Sequence, residues 1–385
     1  MLPVAESLGY DVAWFYDTPA VNSDPFVVMA MCATVTERMD LGLGVAIPHL
    51  RMPHVLGTAM GTLNILAPGR ILLGFGTGFT GALSIGTKPT PWAVLADHLQ
   101  VARGWMAGEQ VDMTVRGVAR PVRHMHPDKG YMNIDDTIPI YVSAVGPKGI
   151  AVTGELADGF WTLSVDRRPD PELIGKKIDE VRQLATKRGA GRIPSALITA
   201  VAVQGEGEPL DSDRLRSFLG PWVTTYFHSM HAIFAEDGPQ QREEWAQGSQ
   251  LTAEDAPEVL KEAALEYFAE VIMTLPDEAP WSAQHTGHST FVRPEEERFI
   301  TADLINLLSI VGPAEQVIGE LAVMTPGYSI VTKTIAGGAG IDAVVERARQ
   351  SHKILGGRPL HGLLVHSALD LQRDRITGTL GDRLP

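Results

Sequence analysis

Cysteine is almost absent from this chain. Cys32 is the single one, so no intramolecular disulfide can form. It lies in an apolar helical stretch and reads as a core residue rather than a nucleophile. Basic charge is also short. Against 46 Asp and Glu stand 32 Lys and Arg, a formal net charge of -14. No basic face for nucleic acid is expected from that balance, and it argues against an anionic membrane surface. No apolar run approaches the length of a transmembrane helix, and no signal-peptide pattern opens the sequence, so a cytoplasmic location is expected. The histidine pairs His124/His126, His228/His231 and His285/His288 lack a third ligand at a diagnostic distance, so no metal is expected.

What is present is ordinary for a large globular chain: 385 residues, 44% apolar and 20% charged. Strand-like apolar runs fall at Val12–Tyr16, Leu41–Ile47, Ile71–Phe75, Ile138–Ser143, Gly159–Leu163, Leu197–Val203 and Tyr328–Ile335. They are mostly continuous rather than alternating, as parallel strands covered on both faces are. Helical patterns fall between them: Phe26–Glu37 behind a Ser23-Asp24-Pro25 cap, Pro53–Leu66, Pro91–Met106, a helix from Pro147, Pro171–Lys187, one from Gly312-Pro313, and Ile341–Ile354. Alternating strands and helices make this an α/β chain, either a doubly wound sheet or a (β/α)8 TIM-type barrel. Glycine-rich turns follow several successive strands, which suits a barrel with a ligand across its strand ends. The missing strand would be the first, because "MLPVAESLGYD" already reads as a helix.

Two regions fall outside the repeat. Arg116–Tyr131 is a polar excursion, and 205–302 is a long insertion before the last strand. Within the insertion, Thr252 to Asp255 can cap a helix, and Leu260, Ala264, Tyr267, Val271 and Leu275 form an apolar stripe. The stripe is expected to pack on the barrel or on a second subunit; the alternative is a lid over the site. Trp281, His285, His288 and Phe291 follow in an irregular stretch of the kind that lines pockets.

The strand of "RILLGFGTGF" ends in Gly74-Phe75-Gly76-Thr77-Gly78. That of "IPIYVSAVGPKGI" ends in Ala144-Val145-Gly146-Pro147-Lys148 at a helix start. Small residues there let a backbone approach an anion, and bare N–H groups bind its oxygens. The first turn alone is weak, and it is not a dinucleotide fingerprint, because no helix starts promptly and no acidic residue follows at the right distance. Together the two turns make a candidate phosphate cradle at Gly76, Thr77, Gly78, Phe79, Ala144, Val145, Gly146 and Lys148. His49 and Arg51, at the mouth of the strand 41–47, are candidate substrate or cofactor-tail contacts. Lys333 is either a phosphate contact or a rim charge.

The segments "ESLGYDVAWFYD", "TERMDLGLGVAIPHLRMPHVLGTAMGTLNILAPGRILLGFGTG" and "IPIYVSAVGPKGIAVTGELADGFW" resemble the bacterial luciferase-like superfamily. The likeness is to its deazaflavin branch, which includes methylenetetrahydromethanopterin reductase and F420-dependent dehydrogenases. It runs from Glu6 to about Leu163 and resumes at "IVGPAEQVIGEL" through Gly357. The resemblance implies a luciferase-like (β/α)8 barrel over 1–357, apparently lacking its first strand and carrying the insertion, with 358–385 as a C-terminal extension. It also implies a non-prolyl cis peptide at Gly44-Val45, with Gly44, Val45 and Ile47 backing a flavin ring, and it makes Asp17 a cofactor-binding and catalytic candidate. Without the resemblance, Asp17 reads equally as a turn cap. Where many deazaflavin enzymes carry His after this acid, Thr18 stands here. The branch's glutamate on the first strand has no counterpart, so either the natural start lies upstream or the polypeptide is incomplete as a catalyst.

The expected function is hydride transfer between coenzyme F420 and a small organic substrate by a homodimer. An FMN-dependent monooxygenase and a non-catalytic flavin-binding homologue are the alternatives. Three fates are open for the missing strand. The gap stays, a partner chain fills it, or the tail stretch "LHGLLVHSALDL", 360–371, enters it after the last barrel helix.

Overall fold

The computed structural model describes residues 2–7, 9–19, 21–164, 168–234, 257–275, 285–324, 329–334 and 362–365. Twelve strands run through them in chain order. They are β1 Val12–Phe15, β2 Asp40–Ala46, β3 Ile71–Phe75, β4 Val111–Val115, β5 Val118–Val122 and β6 Ile140–Ser143. Then come β7 Gly159–Leu163, β8 Ser195–Thr199, β9 Val201–Val203, β10 Ile310–Gly312, β11 Ser329–Thr334 and β12 Gly362–Val365. Eight of them close a barrel in the order β1-β12-β11-β8-β7-β6-β3-β2. Every neighbouring pair in that ring is parallel. The α/β barrel expected from the strand–helix alternation is therefore present.

The vacancy expected at the first-strand position is not. β12 lies there, with Ala13 opposite Leu363 on one side and Val331 opposite Gly362 on the other. The physical reason is the one that made a gap costly: without β12, β1 and β11 would each present a row of unpaired backbone groups. A strand entered after β11 and before β1 in the ring stands where a first strand would, in the manner of a circular permutation. One barrel strand thus lies beyond the boundary expected at 357.

Side chains alternate cleanly along the strands. Ala13, Phe15, Leu41, Leu43, Ile71, Leu73, Phe75, Ile140, Val142, Phe160 and Leu197 face outward into a core shared with the surrounding helices. Trp14, Leu72, Trp161, Ala196 and Ile198 belong to a second cluster inside the ring, with Tyr141 packed on it. This double burial is why the strands read as unbroken apolar runs. The interior aromatics form a group: Trp14 meets Trp161 edge-on at 4.4 Å and Tyr141 at 5.2 Å between ring centroids. Glycines make their room. A Cβ on Gly42 would fall within the Trp14 ring, one on Gly44 against Trp161, and one on Gly159 within the Tyr141 ring.

Helices cover the outside. Pro53–Leu66 and Pro171–Lys187 match their expected spans. Asp24 caps Pro25–Ala33 by accepting from the Phe26 and Val27 amides. That helix stops short of the expected Glu37, because the Glu6 carboxylate accepts the amides of Glu37, Arg38 and Met39 and turns the chain into β2. Cys32 is buried in it, as expected. The polar excursion begins in an antiparallel hairpin, β4 with β5, on the surface. The last expected helix, Ile341–Ile354, and the cap at Thr252–Asp255 lie outside the described residues. Among the described residues, no helix is long and apolar enough to cross a membrane.

The insertion leaves and rejoins the barrel at one place, because β9 and β10 pair in parallel. Between them stand helices Asp213–Phe234, Glu258–Glu270 and Ala302–Leu308. The stripe residues Leu260, Ala264 and Tyr267 pack on the helix of residues 213–234, in one buried cluster with the side chains inside the ring. The first of these helices was not legible in the sequence; it carries Pro221 within it.

Two outcomes follow. Deleting residues 358–385 removes β12 and leaves two barrel edges unpaired, so the midpoint of thermal unfolding should drop by about 5 °C or more. An unchanged midpoint would mean that β12 does not close the ring in solution. Replacing Gly42 by Ala forces a methyl into the Trp14 ring and should cost about 1–3 kcal/mol in denaturant unfolding.

Candidate active site

The candidate residues gather at the carboxyl ends of β1, β2, β3 and β6, neighbours in the ring on either side of β2 and β3. The Gly44-Val45 peptide is cis, as expected, and the β2–β3 register shifts between Leu43 and Ala46. Beyond it, the side chains of Val45 and Ile47 fill the space that glycines on the next strand leave open. A Cβ on Gly76 would come 2.6 Å from Val45 Cγ2, and one on Gly78 would overlap Ile47. Gly78 also has φ 81°, a left-handed conformation that glycine adopts without penalty. The β3 end can therefore lie close against the β2 end only with glycine at these two positions.

Asp17 follows β1 and is buried, but it is not a lone acid. Arg51 Nε donates to its Oδ2 at 3.1 Å and Arg51 Nη2 to its Oδ1 at 3.3 Å. The same guanidinium reaches Asp24 Oδ2 at 2.7 Å and lies 4.3 Å above the Phe26 ring. Burial pushes the Asp17 carboxyl above its ordinary range, and Arg51 works against that shift. The fork of one arginine across two carboxylates fixes the loop after β2 to the end of β1. Arg51, read from the sequence as a candidate substrate or cofactor-tail contact, thus gives its Nε and Nη2 to carboxylates of the protein. Behind it, the ring of His98 bonds to the Arg51 backbone, and burial pushes that imidazole down to about 4, so it stays neutral.

His49 Nδ1 lies 2.8 Å from the Thr90 hydroxyl, and the Thr90 amide donates to the Thr77 carbonyl at 2.8 Å. Thr90 thereby ties the β2 loop to the β3 turn, a link that no spacing in the sequence announces. In the expected cradle, two of the amides supposed bare are already used. Gly76 N donates to Ala46 O at 3.1 Å and Ala144 N to Trp161 O at 2.9 Å, because the sheet ladder continues past the strand ends. Gly146 caps helix Pro147–Leu156 with no side-chain bond to its first turn. The turn is close-fitting there too: a Cβ on Gly149 would come 2.6 Å from that of Ala144. β3 and β6 are paired, Phe75 opposite Val142, so the two turns are adjacent.

Trp161 adds a polar atom that the sequence did not flag. Its ring is buried inside the barrel beside Gly44, and its Nε1 has no hydrogen-bond partner among the described residues.

The insertion reaches the same end of the barrel. Tyr226 donates its hydroxyl to the carbonyl of Ser164, just after β7, at 2.8 Å. His288 Nε2 lies 3.1 Å from the hydroxyl of Thr80, just after the β3 turn. His285 and His288, singled out in the sequence, are thus buried close to the strand ends. Phe291 is exposed, and Trp281 lies outside the described residues.

Comparison with known proteins agrees with this architecture. A 5,10-methylenetetrahydromethanopterin reductase of Methanolobus tindarius is 29% identical over 200 residues, 51% of this chain and 57% of its own length. An F420-dependent glucose-6-phosphate dehydrogenase of Microbacterium testaceum is 30% identical over 190 residues, 46% of this chain and 54% of its own. The chain therefore spans little more than half the length of these relatives. Among solved structures, the coenzyme F420-dependent tetrahydromethanopterin reductase of Methanopyrus kandleri superposes with a TM-score of 0.57 over 92% of both chains at 17% identity, a likeness of fold. The family model described as luciferase-like monooxygenase matches residues 2–265, more than half of the chain. The chain belongs to the luciferase-like family.

Proposed function

We propose that the chain is an oxidoreductase that binds coenzyme F420 across the ends of β1, β2, β3 and β6 and exchanges a hydride between it and a small organic molecule. The observation that carries this reading is the pair of close-fitting, glycine-lined turns on the adjacent strands β3 and β6. The F420 dependence of the similar dehydrogenase and reductase supports it.

The residues present fit such a cofactor. The turns leave no room for a Cβ at Gly76, Gly78 or Gly149, because Val45, Ile47, Trp92 and Ala144 fill that space, and this packing fixes the turn backbone in place. The unpartnered Trp161 Nε1 is a buried donor beside Gly44, where an acceptor of the ring system would satisfy it. The bound deazaflavin would supply the hydride chemistry; the protein supplies position and electrostatics. Thr77, Gly78, Phe79, Val145, Gly146 and Lys148 would hold the phosphate-bearing side chain, flanked by Gly76 and Ala144, whose amides stay in the sheet. Gly44, Val45 and Ile47 would back the ring. Asp17, fixed by Arg51, would face the ring as a rigid acceptor rather than a mobile acid, and His49 with Thr90 would border the substrate.

Fluorescence titration of the purified protein with F420 and with FMN tests the reading. F420 should bind at least tenfold more tightly, a difference of about 1.4 kcal/mol. Tighter binding of FMN would replace the proposal by the flavin alternative. Gly146→Val should raise the Kd for F420 about tenfold with an unchanged circular dichroism spectrum; an unchanged Kd would remove the β6 turn from the site.

Arg51→Ala leaves the Asp17 carboxylate buried without its donors. Unfolding in urea should then show a loss of about 1–3 kcal/mol, of which the double variant with Asp17→Asn recovers part.

A further inference from the structure

Parallel barrels ordinarily fill their interior with branched aliphatic side chains. This one holds three aromatic rings there. Trp14 meets Trp161 at 4.4 Å and 63°, and Tyr141 at 5.2 Å and 72°. The choice carries costs. Gly42, Gly44 and Gly159 stand bare to admit the rings, and glycine within a strand weakens it. Trp161 Nε1 is buried with no hydrogen-bond partner among the described residues. A buried orphan donor calls for a reason. Branched aliphatic residues would fill the same space with neither cost.

Together the rings make a continuous path. Trp161 and Trp14 reach toward the strand-end site, because the Cβ position of Gly44 is 2.5 Å from Trp161 Cη2 and 3.2 Å from Trp14 Cε3. Trp14 is the middle member, in edge contact with both other rings. It and Trp161 are each 2% exposed, so solvent does not interrupt the contacts. Tyr141 is the outer member and is partly exposed. Burial pushes its phenol up to about 12, and the charges of Asp40 and Asp158 add to that shift. Asp158 is engaged by Arg103 Nη1 and by the Ile140 amide, both at 2.9 Å. Asp40 lies two residues before Gly42 on β2 and so shares its inner face. Burial raises the Asp40 carboxyl to about 6 against the pull of Arg70, and Asp11 adds to the rise. At pH 8 Asp40 is therefore ionised, and it is a stronger base than an exposed carboxylate.

Indole and phenol rings are among the side chains that give up one electron most readily. Rings in van der Waals contact pass it on without crossing solvent or saturated carbon. A phenol that loses an electron also releases its proton, so the end of such a path needs a base beside it.

We propose that Trp161, Trp14 and Tyr141 form an electron-donor chain that discharges a light-excited ring bound at the strand ends. The proposal rests on the F420 reading for that ring; deazaflavins and flavins both absorb blue light and oxidise far more strongly when excited. Trp161 gives one electron to the excited ring. Trp14 refills Trp161, and Tyr141 refills Trp14. Tyr141 loses its phenolic proton to the Asp40 carboxylate as its electron leaves. One electron has then moved onto the ring, Tyr141 is a neutral radical and Asp40 is protonated. Tyr141 regains the electron from the ring and the proton from Asp40, so the cycle consumes only the absorbed light. The bound cofactor and the side chains around it are spared the slower chemistry of a long-lived excited ring.

Transient absorption after a blue laser pulse tests the chain on the full protein saturated with F420, with no turnover involved. A tryptophan radical should appear first and a tyrosyl radical after it, and bound F420 should fluoresce less than free F420. Tyr141→Phe should lose the tyrosyl signal and keep the tryptophan one. Trp14→Phe should lose the tyrosyl signal and leave the radical on Trp161. Both variants should hold F420 within about twofold of the unaltered Kd. Asp40→Asn keeps all three rings and should also lose the tyrosyl signal, so it decides the last step even where Trp14→Phe unfolds. A tyrosyl signal that survives in Trp14→Phe or in Asp40→Asn would overturn the chain. F420 bound without any protein radical overturns the chain and leaves the cofactor reading standing. Where FMN is the ring that binds, the same pulse on the FMN complex decides the chain. Uptake of neither ring overturns both.

Discussion

The packing of Trp14, Tyr141 and Trp161 inside the strand ring is the constraint on which the rest depends. Three large rings at edge-on contact fill the middle of the barrel. They fit only because Gly42, Gly44 and Gly159 have no side chain at the same level. Alternating large and small residues is how an eight-stranded ring fills its interior without distorting its strands. The arrangement also fixes where a ligand can lie. With the interior occupied, the open surface is at the strand ends, just past Trp161 and the Gly44-Val45 peptide.

Close fitting continues upward from that level by the same means. Val45 and Ile47 occupy the space over Gly76 and Gly78, so the ends of β2 and β3 interlock. The loops beyond are fixed by polar ties: Arg51 between Asp17 and Asp24, and Thr90 between His49 and the Thr77 carbonyl. Each tie joins neighbouring strand ends, so the site surface is held by the same ring order that closes the sheet. A rigid surface of this kind suits a protein whose part is to orient a cofactor rather than to perform the chemistry itself.

The insertion is bound to this framework at two levels. Its apolar residues are continuous with the barrel interior, since Trp14, Trp161, Leu219 and Phe227 belong to one buried cluster. Its polar residues meet the strand ends through Tyr226 and His288. Burying Glu296 and Arg293 together is tolerable because the carboxylate accepts four hydrogen bonds.

Sequence alone determined seven of the eight barrel strands and most of the helices, because those follow from local signals. Continuous apolar runs mark strands buried on both faces, Asp24-Pro25 marks a helix start, and the glycines after β3 and before helix Pro147–Leu156 mark close turns. The resemblance to the luciferase-like family also located the Gly44-Val45 cis peptide. Tertiary structure alone decided the rest. That Gly362–Val365 closes the ring depends on the unpaired edges of β1 and β11, which do not exist until the other strands have assembled. That Arg51 binds Asp17 depends on a loop path. That Thr80, His288, His228 and Glu296 meet through hydrogen bonds depends on how the insertion folds back over the strand ends. Hydrogen bonds are short and directional, and a one-dimensional spacing carries no record of which distant groups the fold brings within their reach.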